Sequence, residues 1–334
     1  MAIAQASSSA VLSLKEIQRP IEAEMRTFES RFREAMRSKA PLLDRIMHYI
    51  VQRKGKQMRP MFTLLSARLF GPVEEPGYTA AALIELLHTA TLVHDDVVDG
   101  SPMRRGFFSI NALWKNKIAV LVGDYLLSRG LLLAVDKGQF ELLRIVSRAV
   151  REMSEGELLQ LEKARGLNFK EEVYFEIIRQ KTASLIAACC ASGAHASGAT
   201  PEEVERMRTF GELTGIAFQI KDDLFDYGAG MDTGKPTGID IKERKLTLPL
   251  IHALQHVSEA DRRWMVRTVK HDNENDEAVA RVIRKVTEAG GIAHATQRMH
   301  EYRDRALEVL HSFPDNEARR SLEGLVQLTV QRSK

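Results

Sequence analysis

Cysteine is scarce in this chain of 334 residues, which has only Cys189 and Cys190, side by side. Adjacent cysteines rarely bridge, so the pair excludes a disulfide framework and favours a reduced, cytoplasmic protein in which both thiols are small buried side chains. No apolar run approaches the roughly 18 residues of a membrane-spanning helix, so we expect no stable membrane insertion. The N-terminus lacks the basic start and apolar middle of a signal peptide, and we expect residues 1–13 to form a flexible tail.

An excess of either charge is also missing. The chain carries 48 Lys and Arg against 45 Asp and Glu, a net charge of +3. This charge is too mild to indicate nucleic acid, and no basic patch is interleaved with aromatic residues, so we expect no nucleic-acid partner. A hydrophobic fraction of 44% and a charged fraction of 28% indicate a substantial core under a soluble surface.

Strand-like alternation of apolar and polar residues is absent, and apolar residues instead recur at spacings of three and four. The helical stretches lie at 14–36, 42–51, 60–70, 78–98, 112–135, 140–162, 171–196, 201–225, 246–256, 276–288 and 292–313. Glycine and proline separate them, and neither a repeat of fixed length nor a linker appears. The sequence therefore predicts an all-α fold with one domain over residues 14–334.

Two acidic clusters each end an apolar helix. In the first, DDVVD, Asp95, Asp96 and Asp99 fall at about 0°, 100° and 40° around the helix, so they project to one side. Carboxylates at a helix C-terminus face the unfavourable end of the dipole and repel one another, which indicates a bound cation. Hard oxygen ligands favour Mg²⁺, which takes further ligands from phosphate.

The second cluster, DDLFD, repeats this arrangement with Asp222, Asp223 and Asp226. One such motif is weak, whereas two copies at the ends of apolar helices are difficult to attribute to chance. Cations accompany both clusters and suit phosphate oxygens. They are Arg104 and Arg105 after the first cluster, Lys235 and Lys245 after the second, and Lys56 and Arg59 upstream in GKQMRP.

Taken together, these segments resemble the trans-type polyprenyl (isoprenyl) diphosphate synthase family, long-chain type. From about residue 54 to residue 250, GKQMRP, LLHTATLVHDDVVD, RRG, VLVGDYLL, RQKTASL, FQIKDDLFDY and GKPTGIDIKERKLTLPLI look like family blocks, in the family's order. The resemblance implies a helical bundle of the isoprenoid synthase type with a central cavity. It also implies a homodimer and about three Mg²⁺ ions in each active site, held by the two acidic clusters.

The same resemblance assigns the remaining site residues. Isopentenyl diphosphate would be held by Lys56, Arg59, His88 and Arg105. The allylic diphosphate would be surrounded by Arg104, Lys181, Thr182, Gln219, Lys235 and Lys245. Catalysis would use both acidic clusters together with Arg104, Lys181 and Lys235. The implied reaction ionises the allylic C–O bond, after which the double bond of isopentenyl diphosphate attacks the cation and a proton is lost.

Product length is predicted from the helix before the first cluster, because an isoprene unit spans about one helical turn, 5.4 Å. Short-chain relatives carry an aromatic residue in the region five positions before Asp95, where this chain has Ala90. Leu87, Leu86 and Leu83 are the deeper candidates for a tunnel floor. We therefore expect a product longer than about four isoprene units.

Several alternatives stay open at this point. A short-chain (farnesyl or geranylgeranyl) diphosphate synthase and a class I terpene cyclase share the fold. An HD-type metal phosphohydrolase could use His88 together with His94 and Asp95 as metal ligands. A non-catalytic subunit of a heteromeric synthase would usually lack one acidic motif. The chain also departs from the family pattern at four positions: Gln57 replaces an arginine, Phe107 and Phe108 replace short polar residues, and Arg244 replaces a glycine.

Overall fold

The computed structural model describes residues 12–53, 55–104, 106–166, 170–228 and 237–331, and its main elements are α-helices. The N-terminal half contains α1 (Leu14–Gln18), a 3₁₀ turn (Arg19–Ile21), α2 (Glu22–Ala35), α3 (Pro41–Gln52), α4 (Met58–Phe70), α5 (Glu75–Val98), β1 (Met103–Arg104), β2 (Phe107–Phe108), α6 (Ile110–Asp136) and α7 (Phe140–Gly166). The remainder contains α8 (Glu171–Ile178), a π-helical turn (Arg179–Ala183), α9 (Ser184–Ala196), α10 (Pro201–Phe225), α11 (Ile239–Lys242), α12 (Leu248–His256), α13 (Glu259–His271), α14 (Asp276–Glu288), α15 (Gly291–His311) and α16 (Glu317–Gln331). The predicted all-α fold is confirmed.

Four elements were not predicted. The helices α11, α13 and α16 fall outside the predicted stretches, and the antiparallel hairpin pairs Arg104 of β1 with Phe107 of β2. α13 buries only Met265, Thr268 and Val269, too few positions to give a clear helical period. The hairpin strands have two residues each, too short to show alternation.

Local sequence explains where α10, which carries the second acidic cluster, begins. Thr200 accepts a hydrogen bond from the backbone N–H of Glu203, whose side chain accepts one from the backbone N–H of Thr200, and Pro201 occupies the first turn. This capping box satisfies N–H groups that the helix itself leaves unpaired. Ser13 and Glu16 form the same arrangement at α1, while residues 1–11 of the predicted tail lie outside the described ranges.

The centre of the molecule is α9, which is built almost entirely from small buried residues. A Cβ at Gly193 would lie 2.1 Å from the carbonyl oxygen of Thr63 in α4, and a Cβ at Gly211 of α10 would lie 2.6 Å from that of Ile186. A Cβ at Gly215 would lie 2.5 Å from the Cα of Ala183. The glycines therefore allow backbones to touch, and α10 is held directly against α9 and the π-helical turn.

The long helix α6 packs along α5 but is exposed on its other side. It is kinked at Lys115, which has φ 72° and ψ 159°. Contrary to the expectation from the sequence, α6 is long and apolar enough, by length and composition, to cross a membrane, and 33% of the apolar window is buried. The two criteria differ because Asp124 and Arg129 interrupt the apolar run in the sequence. These two charges do not lower the mean hydropathy of the helix below the value typical of a membrane span.

Candidate active site

The first acidic cluster occupies the last turn of α5. Asp96 is buried and accepts a 2.6 Å bond at Oδ1 from Nε of Arg104 in the hairpin. Asn111 at the start of α6 donates to the Asp96 carbonyl oxygen at 3.0 Å. These bonds commit Asp96 to holding the hairpin in place, whereas Asp95 and Asp99 remain exposed at the end of α5.

Charge around Asp95 is unbalanced. Although its side chain reaches solvent, the surrounding protein desolvates it, and the negative charges of Glu157 and Asp99 further raise its pKa. Lys181 and Arg104 oppose this shift without cancelling it. A carboxylate whose negative neighbours outweigh its positive ones is well suited to a divalent cation.

The second cluster closes α10, and two of its carboxylates are already engaged. Asp223 accepts hydrogen bonds from Gln219 Nε2 at 2.9 Å and from Tyr174 Oη at 2.7 Å. Asp226 accepts the backbone N–H groups of Ile239 at 2.8 Å and Asp240 at 3.1 Å. Asp223 and Asp226 thus position the surrounding elements, while Asp222 lines the neighbouring cavity. That all three carboxylates bind metal stays a prediction.

Two acidic residues at the site were not predicted. Asp240 lies 3.3 Å from Lys245 and its charge raises the pKa of both Asp223 and Asp226. Glu157 of α7 forms a 2.5 Å ion pair with Lys181. Both lie outside the acidic clusters. The signals available were the place of Asp240 five residues before Lys245 and the spacing of Glu157 and Gln160 on one face of α7.

The π-helical turn joins the two halves of the site. Lys181 contacts Glu157 and also donates to Gln160 Oε1 at 3.3 Å, while Thr182 Oγ1 donates to Gln219 Oε1 at 2.8 Å. The charge of Lys181 lowers the pKa of both Asp95 and Asp240. Lys181 thus acts on Asp95 of the first cluster and lines one cavity with Asp222 and Asp223 of the second. π-Helical turns frequently mark functional sites.

Three cavities adjoin these residues. A cavity of about 330 Å³ is lined by Lys181, Thr182, Gln219, Asp222, Asp223 and Lys245. A second, of about 410 Å³, is lined by Lys56, Arg59 and Thr182. His88, Asp96 and Arg104 line a third, of about 110 Å³. Two of these cavities share Thr182 and are lined by lysine or arginine side chains predicted to hold a diphosphate, whereas Arg104 and His88 line the third.

Two predicted residues, Arg105 and Lys235, lie outside the described residues. Within the described part of the chain, no three His, Cys, Asp or Glu side chains are grouped to hold a metal ion by themselves. Mg²⁺ is usually bound through one or two carboxylates and substrate phosphate. The oxygen donors of Asp95, Asp99 and Asp222 fit such a cation.

The predicted chain-length residues are buried inside the bundle. Ala90, Leu83, Leu86 and Leu87 are at most 1% exposed. A Cβ added to Gly130 of α6 would lie 3.2 Å from Leu87 and 3.4 Å from Leu83, so this part of α5 faces α6. In the described residues, the linings of the three cavities above do not include these four side chains. Their role in product length stays a prediction.

The histidines of the phosphohydrolase alternative do not converge. His94 Nε2 lies 3.3 Å from the carbonyl oxygen of Val120 and 3.4 Å from Asp124 Oδ1, on the α6 side of α5. His88 is buried beside the 110 Å³ cavity. Since the two rings serve opposite sides of the helix, the arrangement disfavours a shared metal site.

The structure explains why the family pattern has glycine at position 244. Arg244 has φ 59°, in the left-handed region that favours glycine. We expect Arg244→Gly to stabilise the protein by about 0.5–1 kcal/mol, since relief of a left-handed side chain exceeds the entropy that glycine adds to the unfolded state. Urea unfolding measures the change. Arg244→Ala is the control, because it removes the charge and keeps the strain. An equal gain in both variants would assign the effect to charge.

Burial, together with the charge of Asp240, raises the pKa of Asp223 to about 7 despite hydrogen bonds from Gln219 and Tyr174. Asp223 therefore keeps its proton up to about pH 7 in the folded state, whereas in the unfolded state it loses the proton at its ordinary pKa of about 4. Metal-free protein should consequently lose stability as pH rises from 4 to 7. We expect the urea midpoint in chelator to fall between pH 5 and pH 8, and to fall less in Asp223→Asn. Identical slopes for both proteins would contradict this assignment.

Comparison with known proteins places these features in context. The model of the polyprenyl synthetase family matches residues 40–286. Octaprenyl diphosphate synthase of Escherichia coli K12 is 37% identical over 324 residues, covering 97% of this chain and 100% of the relative. A decaprenyl diphosphate synthase from Rhodobacter capsulatus has a TM-score of 0.91 at 36% identity, covering 96% of this chain and 100% of its own. A polyprenyl synthase from Caulobacter crescentus CB15, complexed with calcium and isoprenyl diphosphate, has a TM-score of 0.89 at 34% identity, covering 97% and 99%.

Proposed function

This chain belongs to the polyprenyl synthetase family, and from that premise we propose that it condenses isopentenyl diphosphate with an allylic diphosphate to make a polyprenyl diphosphate longer than about four isoprene units. The observation that carries the proposal is the position of Lys181, whose charge acts on Asp95 of the first cluster and which lines one cavity with Asp222 of the second. Thr182 borders this cavity and also the cavity lined by Lys56 and Arg59. Relatives that make octaprenyl and decaprenyl diphosphates support the long product.

The residues around the first cavity would stabilise the leaving group. Lys181 and Lys245 line it, and their positive charges offset the charge that develops on pyrophosphate as the allylic C–O bond breaks. When bound at Asp95, Asp99 and Asp222, Mg²⁺ ions, about three in number, would add Lewis-acid stabilisation of the same charge. Arg104 and Lys235 are proposed to assist from neighbouring segments.

The second cavity would hold the nucleophile. Lys56 and Arg59 line it and are suited to the diphosphate of isopentenyl diphosphate. Its double bond attacks the allylic carbon, a C–C bond forms, and a proton leaves to the departing pyrophosphate. Thr182 lies at the junction of the two cavities, so it borders the space in which the two substrates must meet. A class I terpene cyclase has no need of this second pocket.

We also propose that the protein acts as a cytoplasmic homodimer. Exposed apolar side chains on α6 and α7, including Leu121 (56% exposed), Leu132 (49%) and Leu158 (67%), support a protein partner, because extended apolar patches are rare on monomers. The free cysteines are both buried, which suits a reducing compartment. Light scattering of the purified protein tests the dimer.

The decisive experiment incubates the purified chain alone with isopentenyl diphosphate, Mg²⁺ and allylic primers of several lengths. Chromatography of the dephosphorylated products is expected to show chains longer than about four units, and chelator should abolish them. Products of three or four units would favour a short-chain synthase. Absence of extension with every primer would contradict the proposed function, and activity restored only by a second protein would indicate a heteromeric synthase.

A further inference from the structure

The hairpin that carries Arg104 has two large aromatic side chains where the family resemblance predicts short polar ones. Phe107 is 48% exposed and Phe108 is 58% exposed. Exposed aromatics on a two-residue strand add little to a core, so their presence calls for a contact elsewhere. Phe107 makes one: the guanidinium of Arg53, at the end of α3, lies 4.8 Å from the centre of its ring.

The same guanidinium also lies over a second ring. It is 3.4 Å from the centre of Tyr49, and Arg53 Nη1 donates to the Tyr49 carbonyl oxygen at 3.1 Å. Tyr49 Oη in turn donates to the carbonyl oxygen of Phe108 at 2.6 Å. One cation thus joins a ring of α3 to a ring of the hairpin, and a hydrogen bond fixes their separation.

Tyr49 is itself anchored. Its ring packs edge-to-face on Trp114 of α6, with centroids 5.2 Å apart and planes at 82°. This geometry is favourable for aromatic pairs. Two contacts therefore set the position of the hairpin relative to α3: the one between Arg53 and Phe107, and the hydrogen bond from Tyr49 to the Phe108 carbonyl.

We call the contacts of Arg53 with Tyr49 and Phe107, together with the hydrogen bond from Tyr49 to Phe108, the tether. The tether joins the two segments that carry predicted phosphate ligands. Arg53 lies three residues before Lys56, and Phe107 is the cross-strand partner of Arg104. Arg53, Gly55, Arg104 and Phe107 line one cavity of about 110 Å³, so the tether forms a wall between the segments. Gln57 leaves this turn one arginine short of the family pattern, which makes the placement of its remaining cations more important.

Resting on the proposed function, we propose that Arg53 and Phe107 are positioning residues. They hold the turn bearing Lys56, which leads into Arg59 at the start of α4, ready for isopentenyl diphosphate. A preordered turn loses less conformational freedom when the ligand binds, so affinity rises. Arg104 depends less on the tether because Asp96 holds it independently at 2.6 Å. The tether therefore acts on isopentenyl diphosphate more than on the allylic substrate.

The test is steady-state kinetics with each substrate varied in turn. In Phe107→Ser, KM for isopentenyl diphosphate should rise about two- to fivefold, the range of a partly exposed cation–π contact. Its kcat and the KM for the allylic substrate should stay within about twofold. Phe107→Tyr should restore the wild-type KM, and Phe108→Ser, which keeps the carbonyl that Tyr49 binds, should leave it unchanged.

Arg53→Gln removes the same contact by changing its cation instead of its ring. This variant serves as the test if Phe107→Ser folds poorly. The double variant should raise KM no further than Arg53→Gln alone, because that change already removes the contact with Phe107. An unchanged KM in Phe107→Ser, or an equal rise for both substrates, would overturn the inference. Wild-type protein without any turnover would instead contradict the proposed function.

Discussion

The variant Asp95→Asn is expected to lose about a thousandfold or more in kcat while becoming more resistant to urea. The activity falls because the developing charge on the leaving group loses cation stabilisation of several kcal/mol, and each 1.36 kcal/mol is a factor of ten. Stability rises because Asp95 stands in the last turn of α5, against the helix dipole, and is repelled by Glu157 and Asp99. Single-turnover kinetics and urea unfolding without metal measure the two effects.

Asp136→Asn is the matched control for this prediction. Asp136 is the last residue of α6 and is exposed, so its neutralisation relieves the same helix-end penalty of about 0.3–1 kcal/mol. It should leave kcat unchanged. If Asp95→Asn kept its kcat within a factor of ten, the proposed metal site would be wrong. If the variant lost stability together with activity, the carboxylate would have a structural role instead.

The variant Ala90→Tyr is expected to shorten the product to about four isoprene units or fewer. Ala90 lies on a buried part of α5, 1% exposed, about one helical turn before Asp95, and a phenol ring there would fill the path predicted for the growing chain. The added volume also costs about 1–3 kcal/mol of stability through overpacking. Chromatography of dephosphorylated products gives the length distribution, and urea unfolding shows how much folded protein remains.

Leu87→Ala provides the opposite change in the same part of the helix. The side chain of Leu87 lies beside Gly130 of α6 and is a predicted floor of the tunnel. Removing it should therefore lengthen the product by about one unit. Leu64→Ala in α4 creates a cavity of the same chemistry elsewhere in the core and should leave product length unchanged. If Ala90→Tyr made products of wild-type length, α5 would not measure the chain.

The acidic clusters could be predicted because their physics is local. Three carboxylates within five residues at a helix end repel one another in any fold, and the apolar period placed that end correctly at Val98 and Phe225. The start of α10 was predictable for the same reason, since Thr200, Pro201 and Glu203 form a recognisable cap. Each of these features depends on neighbours in sequence.

Glu157 and Asp240 were not predicted because the charges they act on, those of Lys181 and of the second acidic cluster, are brought to them by the fold. Glu157 meets the side chain of Lys181 because Gly156 lets α7 approach the π-helical turn closely. A Cβ added to Gly156 would lie 2.8 Å from the backbone nitrogen of Lys181. The engagement of Asp223 by Tyr174 spans 49 residues. Similarly, Phe107 appears as a mere departure from the family until Arg53 is placed beside it.

The glycine contacts of α9 have a consequence for how such a protein can change over time. Substitutions at Gly193, Gly211 or Gly215 would force backbones apart and displace the wall that carries the second acidic cluster. On the α5–α6 side the neighbours are side chains such as those of Leu83 and Leu87, which can be exchanged for others of different size. Substitutions should therefore be better tolerated on the wall proposed to measure the product than on the wall that carries the second acidic cluster, so product length could change while the chemistry is kept.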